Sequence, residues 1–400
     1  MRQAVGIFII ILGLVGIVIA MIVENPIVTF ICMLIAVAGV LFPVLIRGPR
    51  EEGEGHAEHE RLPEREALNA PLEALTELQR ILSQTNLPDY KAGAKEYVAK
   101  GDYAAAIGLA SAEGDDWEAA ERLIFRAELF KANSQFEEAE EALLRALKIY
   151  KRLAGKDPDR YEPELAATLD NLGRFYGYGE QAEHYFLKAL AIQRSLAEAE
   201  LDTYRSDLAI TLDHLGSLYF NRDEFEKGGK FLEEALAINS DLADKSDSFR
   251  PNLANSLNNM GNVYTMKEDF DRAGECYDKA LAIRKELATE NPQAFAPALA
   301  VSLKSLGNYY ANIQEYADAE EYYKQCLATY RSLAAAHPQT FSPYLAGILV
   351  SMAIFYQDDY PKRSLSIRLA KEALKILDSF NNAAEREKAM LVLSDWETDN

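Results

Sequence analysis

Cysteine is scarce in this chain of 400 residues: there are three, Cys32, Cys276 and Cys326, none in a C-x-x-C arrangement. That argues against a disulfide framework or a zinc site and for reduced, buried packing of the last two. His184, His214 and His337 stand far apart without a companion carboxylate or cysteine at useful spacing, and the sequence has neither a glycine-rich phosphate loop nor a nucleophile elbow. No enzyme, metal or cofactor is expected. Positive charge is also short, with 42 Lys and Arg against 63 Asp and Glu and a net charge of −21. The first 50 residues carry three Arg and one Glu, so the acid excess lies beyond them. Such a charge repels nucleic acid and anionic headgroups, which argues against nucleic-acid binding. Pairs such as Glu137-Glu138 and Glu320-Glu321 read as solvated outer helix faces rather than as an acidic docking patch.

Charge is missing altogether from residues 4–23 and 26–46, which only Glu24-Asn25 separates. A hydrocarbon core about 30 Å thick needs about 20 apolar residues per helix, so residues 1–47 are expected to form a transmembrane helical hairpin. A cleaved signal peptide is the rival reading, but it leaves the second run unexplained; an uncleaved anchor followed by a membrane-associated helix is another. Arg2, Arg47 and Arg50 flank one side, which predicts an integral membrane protein, in the inner or plasma membrane if bacterial, with both ends in the cytoplasm. Gly13, Gly16, Ala20, Ala36, Ala38 and Gly39 would let spans pack closely within a hairpin or between copies as a homo-oligomer. Residues 48–66 read as an acidic flexible linker, in which His56 and His59 fix no metal geometry. Leu68, Leu72, Leu75, Leu78 and Leu82 predict a capping helix within 67–87.

Beyond it a Leu-x-x-x-Gly-x-x-Tyr phrase returns every 43 to 46 residues. Its small-residue column is Ala127, Gly173, Gly216, Gly261, Gly307 and Ala353; a Leu stands four residues before each and an aromatic three after. Those spacings place all three on one helical stripe, where the small residue admits a neighbouring helix. A second helix follows each time, marked by Ala139, Ala182, Gly228, Ala273 and Ala319 and then by an Ala-Leu-x-Ile phrase such as Ala280-Leu281-Ala282-Ile283. Pro163, Pro251, Pro297 and Pro343 read as start signals for the first helices, and Gly228-Gly229 as a weak point in its second helix. Residues 88–380 are therefore expected to be a repeat array, with 381–400 as a capping helix and tail. The fold class is all-α: an α-solenoid of about seven helical-hairpin repeats preceded by a two-helix transmembrane hairpin.

These residues resemble the tetratricopeptide repeat family, and the long period is similar to that of kinesin light chains. The resemblance implies a superhelix whose first helices line a concave groove. The places three before and one after the small column then face the groove: Asp170 and Arg174, Asp213 and Ser217, Asn258 and Asn262, Lys304 and Asn308, with Asn171, His214, Asn259 and Ser305 adjoining. The amides suit the backbone of an extended peptide, and the resemblance implies that role for Asn171 and Asn259; the alternative is that they brace neighbouring helices. A two-carboxylate clamp is not expected, because Ser351 and Val350 stand where it would continue from Lys304 and Asn308. The resulting expectation is a membrane-anchored interaction scaffold or adaptor, with a protein or peptide partner in the groove and the membrane reached through residues 4–46. Its alternatives are a sensor or regulatory subunit of a membrane effector of defence or secretion type, and an assembly chaperone for envelope proteins.

Overall fold

The computed structural model describes residues 77–78, 81–82, 86–198, 202–380 and 382–398. Fifteen α-helices and no strand lie among them. They are α1 (Asp89–Lys100), α2 (Tyr103–Leu109), α3 (Trp117–Ala132), α4 (Phe136–Ala154), α5 (Pro158–Phe175), α6 (Glu180–Ala197), α7 (Asp202–Asn221), α8 (Phe225–Lys245), α9 (Arg250–Met266), α10 (Phe270–Glu290), α11 (Pro292–Asn312), α12 (Tyr316–Ala336), α13 (Pro338–Asp358), α14 (Arg363–Leu377) and α15 (Ala383–Thr398). Successive helices pack as seven hairpins, each hairpin packs on the next, and α15 rests on α13 and α14. This is an all-helical solenoid.

The transmembrane hairpin expected at 4–46 and the linker at 48–66 lie outside the described residues, as does most of the helix expected within 67–87. Of that helix, residues 77, 78, 81 and 82 are helical, with Leu78 and Leu82 buried. Among the described residues no helix is long and apolar enough to cross a membrane. The expectation of an integral membrane protein is corrected on that ground: the described helices bury one face on a neighbour and keep acids and bases on the other.

The small-residue column does what its spacing implied. A Cβ on Gly173 would fall 2.4 Å from the Phe186 ring, on Gly216 2.4 Å from Leu232, on Gly261 2.6 Å from the Tyr277 ring and on Gly307 2.6 Å from the Tyr323 ring. In these four hairpins the second helix thus lays a large side chain directly on the backbone of the first. Gly228 is not the weak point expected. Helix α8 is unbroken, and a Cβ there would lie 2.8 Å from the Gly216 carbonyl oxygen, so the residue marks the closest approach of two backbones.

The turns inside the hairpins repeat too. Ser134, Asp223, Glu268 and Gln314 each sit in the left-handed region, with φ between 57° and 65°. The N–H of the following residue returns to the carbonyl of the aromatic column, as from Gln135 to Phe130 and from Glu315 to Tyr310, which is the Schellman way of closing a helix. Helix starts depart from expectation. Pro158, Pro292 and Pro338 open α5, α11 and α13, so Pro163, Pro297 and Pro343 lie inside those helices; Pro251 alone stands at a start. A proline in the second turn forfeits one helical hydrogen bond, and the buried face outweighs that loss.

Hydrogen bonds tie hairpin to hairpin. Tyr219 donates to Glu183 at 2.6 Å and Tyr356 to Glu320 at 2.6 Å, each 36 positions apart, and Tyr176 donates to Glu140 at the same spacing. Glu320 is therefore not a solvated outer acid as expected. Burial opposes its ionisation, but Tyr356, Lys362 and Lys324 outweigh that and bring its carboxyl down to about 2. One polar approach is long-range. The hydroxyls of Tyr103 in α2 and Thr340 in α13 lie 3.5 Å apart across 237 positions, beside the buried Phe341.

Candidate functional site

Helices α7, α9 and α11 are first helices of successive hairpins, and between them opens a pocket of about 340 Å³. Ile210, Asp213, His214 and Ser217 of α7 line it, with Asn252, Asn255, Asn258 and Asn259 of α9, Arg284 of α10, and Pro297, Ala298 and Val301 of α11. Of the residues expected to face a groove, Asp213, His214, Ser217, Asn258 and Asn259 meet here. Asp170, Asn171, Arg174, Asn262, Lys304, Ser305 and Asn308 are not among its lining.

Several expected groove residues are engaged within the protein. Asp170 accepts from Thr211 at 2.7 Å and lies 3.0 Å from His214 Nδ1, so it joins α5 to α7. Burial pushes its carboxyl up, but the charge and hydrogen bond of His214, with Arg174 and Thr211, outweigh it and hold the group below the usual carboxylate range. Asp213 accepts from Ser256 at 2.5 Å and from Asn259 at 3.3 Å, joining α7 to α9. Here burial wins over those bonds and the nearby His214, and the carboxyl rises to about 6. Asn262 and Asn308 accept from Tyr277 and Tyr323 at 2.7 Å, each a tyrosine of its own hairpin. Asn171 accepts from Arg174 at 3.4 Å. In α9, Asn255 is exposed and Asn259 half-buried, whereas Asn258 is buried with its Oδ1 unpartnered. Lys304 is half-buried.

Two buried columns behind the pocket escaped the sequence reading. Five residues before each small-column glycine stands a hydroxyl, Thr168, Thr211, Ser256 and Ser302, at most 1% exposed. Thr211 and Ser256 donate to Asp170 and Asp213 of the preceding hairpin. The other column follows the Ala-Leu-x-Ile phrase at Tyr150, Gln193, Asn239 and Arg284, and its counterpart Cys326-Leu327-Ala328-Thr329 at Tyr330, none more than 5% exposed. Its legible signal was polarity at a place that the phrase puts on the inner face. Asn239 donates to Ser256 at 2.8 Å. Arg284 donates to Ser302 at 2.6 Å, to Asn255 at 2.8 Å and to the Ala298 carbonyl at 3.0 Å, and burial lowers its guanidinium to about 10. Among the described residues no group of three or more His, Cys, Asp or Glu is placed to hold a metal.

Family models of the tetratricopeptide repeat match residues 127–159, 207–286 and 252–332, so the chain carries tetratricopeptide repeats. A search of the curated proteins gives no match. Among solved structures, the chain is similar to BtubC (BKLC) from P. vanneervenii, at 19% identity over 67% of this chain and 94% of that one, with a TM-score of 0.42. It is similar to the apo form of RapI, at 18% identity over 70% and 90%, with a TM-score of 0.49. A putative kinesin light chain of Podosopora anserina with nearly identical TPR-like repeats aligns at 19% identity over 54% and 98%, with a TM-score of 0.35. None of these likenesses bears on a ligand of this chain.

Proposed function

We propose that this tetratricopeptide array is a protein-interaction scaffold that holds an extended peptide segment of a partner in the groove between α7, α9 and α11, without catalysing a reaction on it. The observation that carries the reading is the run of amides on one face of α9. Asn252, Asn255 and Asn259, spaced three and four apart, line the pocket together with Ser217. An amide both donates and accepts, as a peptide backbone does, and the apolar walls Ile210 and Val301 would receive a side chain. Asp170, Asn262 and Asn308 are not among the pocket's lining and brace the array instead, accepting from Thr211, Tyr277 and Tyr323.

The test selects displayed random peptides on the full chain and measures their affinity for variants. Asn255→Ala with Asn259→Ala removes two hydrogen-bonding side chains, each worth about 0.5 to 1.5 kcal/mol net, and is expected to weaken binding about tenfold or more. Glu321→Ala, at an exposed position on α12, is expected to bind as the parent does. Equal affinity of parent and both variants would move the binding surface away from this groove.

A further inference from the structure

Arg284 is a buried cation without an anion. Its side chain is 5% exposed, and its three acceptors, Asn255, Ser302 and the Ala298 carbonyl, are all neutral. A guanidinium has five N–H donors, so two remain, and Nε is buried with no acceptor. The neighbouring hairpins show what is missing. There the buried hydroxyl of one hairpin meets a buried acid of the hairpin before it, Thr211 with Asp170 and Ser256 with Asp213. At the next step the acid's place is taken by Asn258, whose Oδ1 is also buried and unpartnered, and Ser302 accepts from Arg284 instead. Asp213 lines the same pocket, but its oxygens are taken by Ser256 and Asn259.

A charge withdrawn from water without a counter-ion is costly, and a protein keeps such a group where something compensates it. We propose that the pocket is a carboxylate subsite, in which the guanidinium of Arg284 receives a carboxylate of the peptide held in the groove. The inference rests on the groove reading above and adds to it the sign of the ligand. Arg is the side chain best shaped for a carboxylate, and hydrogen bonds between charged partners are roughly twice as strong as neutral ones. The exposed Asn255, already bonded to Arg284, stands beside the site to orient the incoming group. This cation lies on a second helix, and Lys304 and Asn308, the pair that a two-carboxylate clamp would use, are not among the pocket's lining.

The carboxylate would come from a peptide's C-terminus or from an Asp or Glu side chain, and one experiment separates the two. The full chain is equilibrated with pools of N-acetylated random hexapeptides made from uncharged residues, in three forms: free C-terminal carboxylate, C-terminal amide, and C-terminal amide with one internal Glu. Retention is read by dialysis and mass spectrometry. One or both acidic pools should be retained about tenfold better than the neutral amide pool, and the better of the two identifies the source. Arg284→Met should abolish the preference. Asn258→Asp, which restores the acid of the two preceding hairpins, should abolish it as well by supplying an internal counter-ion, whether or not Arg284→Met folds. Equal retention of all three pools by the parent overturns the subsite and leaves the groove reading standing. Retention of no pool overturns the groove reading and the subsite with it. A preference that persists in folded Asn258→Asp removes Arg284 as its source.

Discussion

Asp170 and Asp213 occupy the same place in successive hairpins, yet burial acts on them with opposite results. Asp170 has His214 against it and stays ionised, whereas Asp213 has only neutral donors in direct contact and rises to about 6. The folded value of Asp213 exceeds the 3.8 of an unperturbed carboxyl, so the native state holds that proton more tightly than the unfolded chain. The stability it confers is complete below pH 3.8 and lost as the pH rises through about 6. Asp213→Asn is neutral throughout and should not lose it. The gap in unfolding free energy between variant and parent is therefore expected to grow in the variant's favour by roughly 2–3 kcal/mol from pH 4 to pH 7.5. Denaturant melts of both proteins across that range check it; parallel curves would mean that Asp213 is solvated. Acids with lowered values, such as Glu320, act in the opposite sense but are common to both proteins and cancel in the difference.

Four hairpins, the third to the sixth, stand on the contact between a glycine of the first helix and a large side chain of the second. At Gly261 that partner is the Tyr277 ring, itself fixed by its hydroxyl on Asn262. Gly261→Leu must part α9 from α10, and overpacking of this kind costs about 1–3 kcal/mol or more. The variant's melting temperature should fall, with the loss largest in hydrogen exchange of α9 and α10; an unchanged melt would show that the two helices slide apart at no expense. This contact was legible in the sequence because sterics tie one residue type to one crossing, and the same logic gave the second helices and the seven hairpins. Helix starts were legible only to within a turn, since Pro163, Pro297 and Pro343 are tolerated inside helices that Pro158, Pro292 and Pro338 open. The site was legible in part. The face of α9 follows from helical periodicity, so Asn258 and Asn259 were expected where the candidate pocket opens, and Asn252 and Asn255 obey the same spacing. Arg284 was not legible there, nor Glu320 between its hairpins, because a charged side chain reads as solvated until the neighbour that covers it is known.

At the scale of the whole array, nearly all polar ties join a hairpin to itself or to the next, as expected of repeats that stack in one dimension. The approach of Tyr103 to Thr340 is different, because it joins the first hairpin to the seventh. A stack with two free ends frays from either, and the openings at the two ends are independent events. Where the ends meet, neither is free: an opening at α2 takes Tyr103 from Thr340, and an opening at the start of α13 takes Thr340 from Tyr103. Their amides are then expected to exchange hydrogen as one cooperative unit, slower than either end would alone. Tyr103→Ala should quicken exchange in α2 and at the start of α13 together while leaving α7 to α9 unchanged, whereas a change confined to α2 would show two ends that merely lie near each other. On that expectation the unit of local unfolding is set not by order along the chain but by two segments 237 positions apart that hold each other.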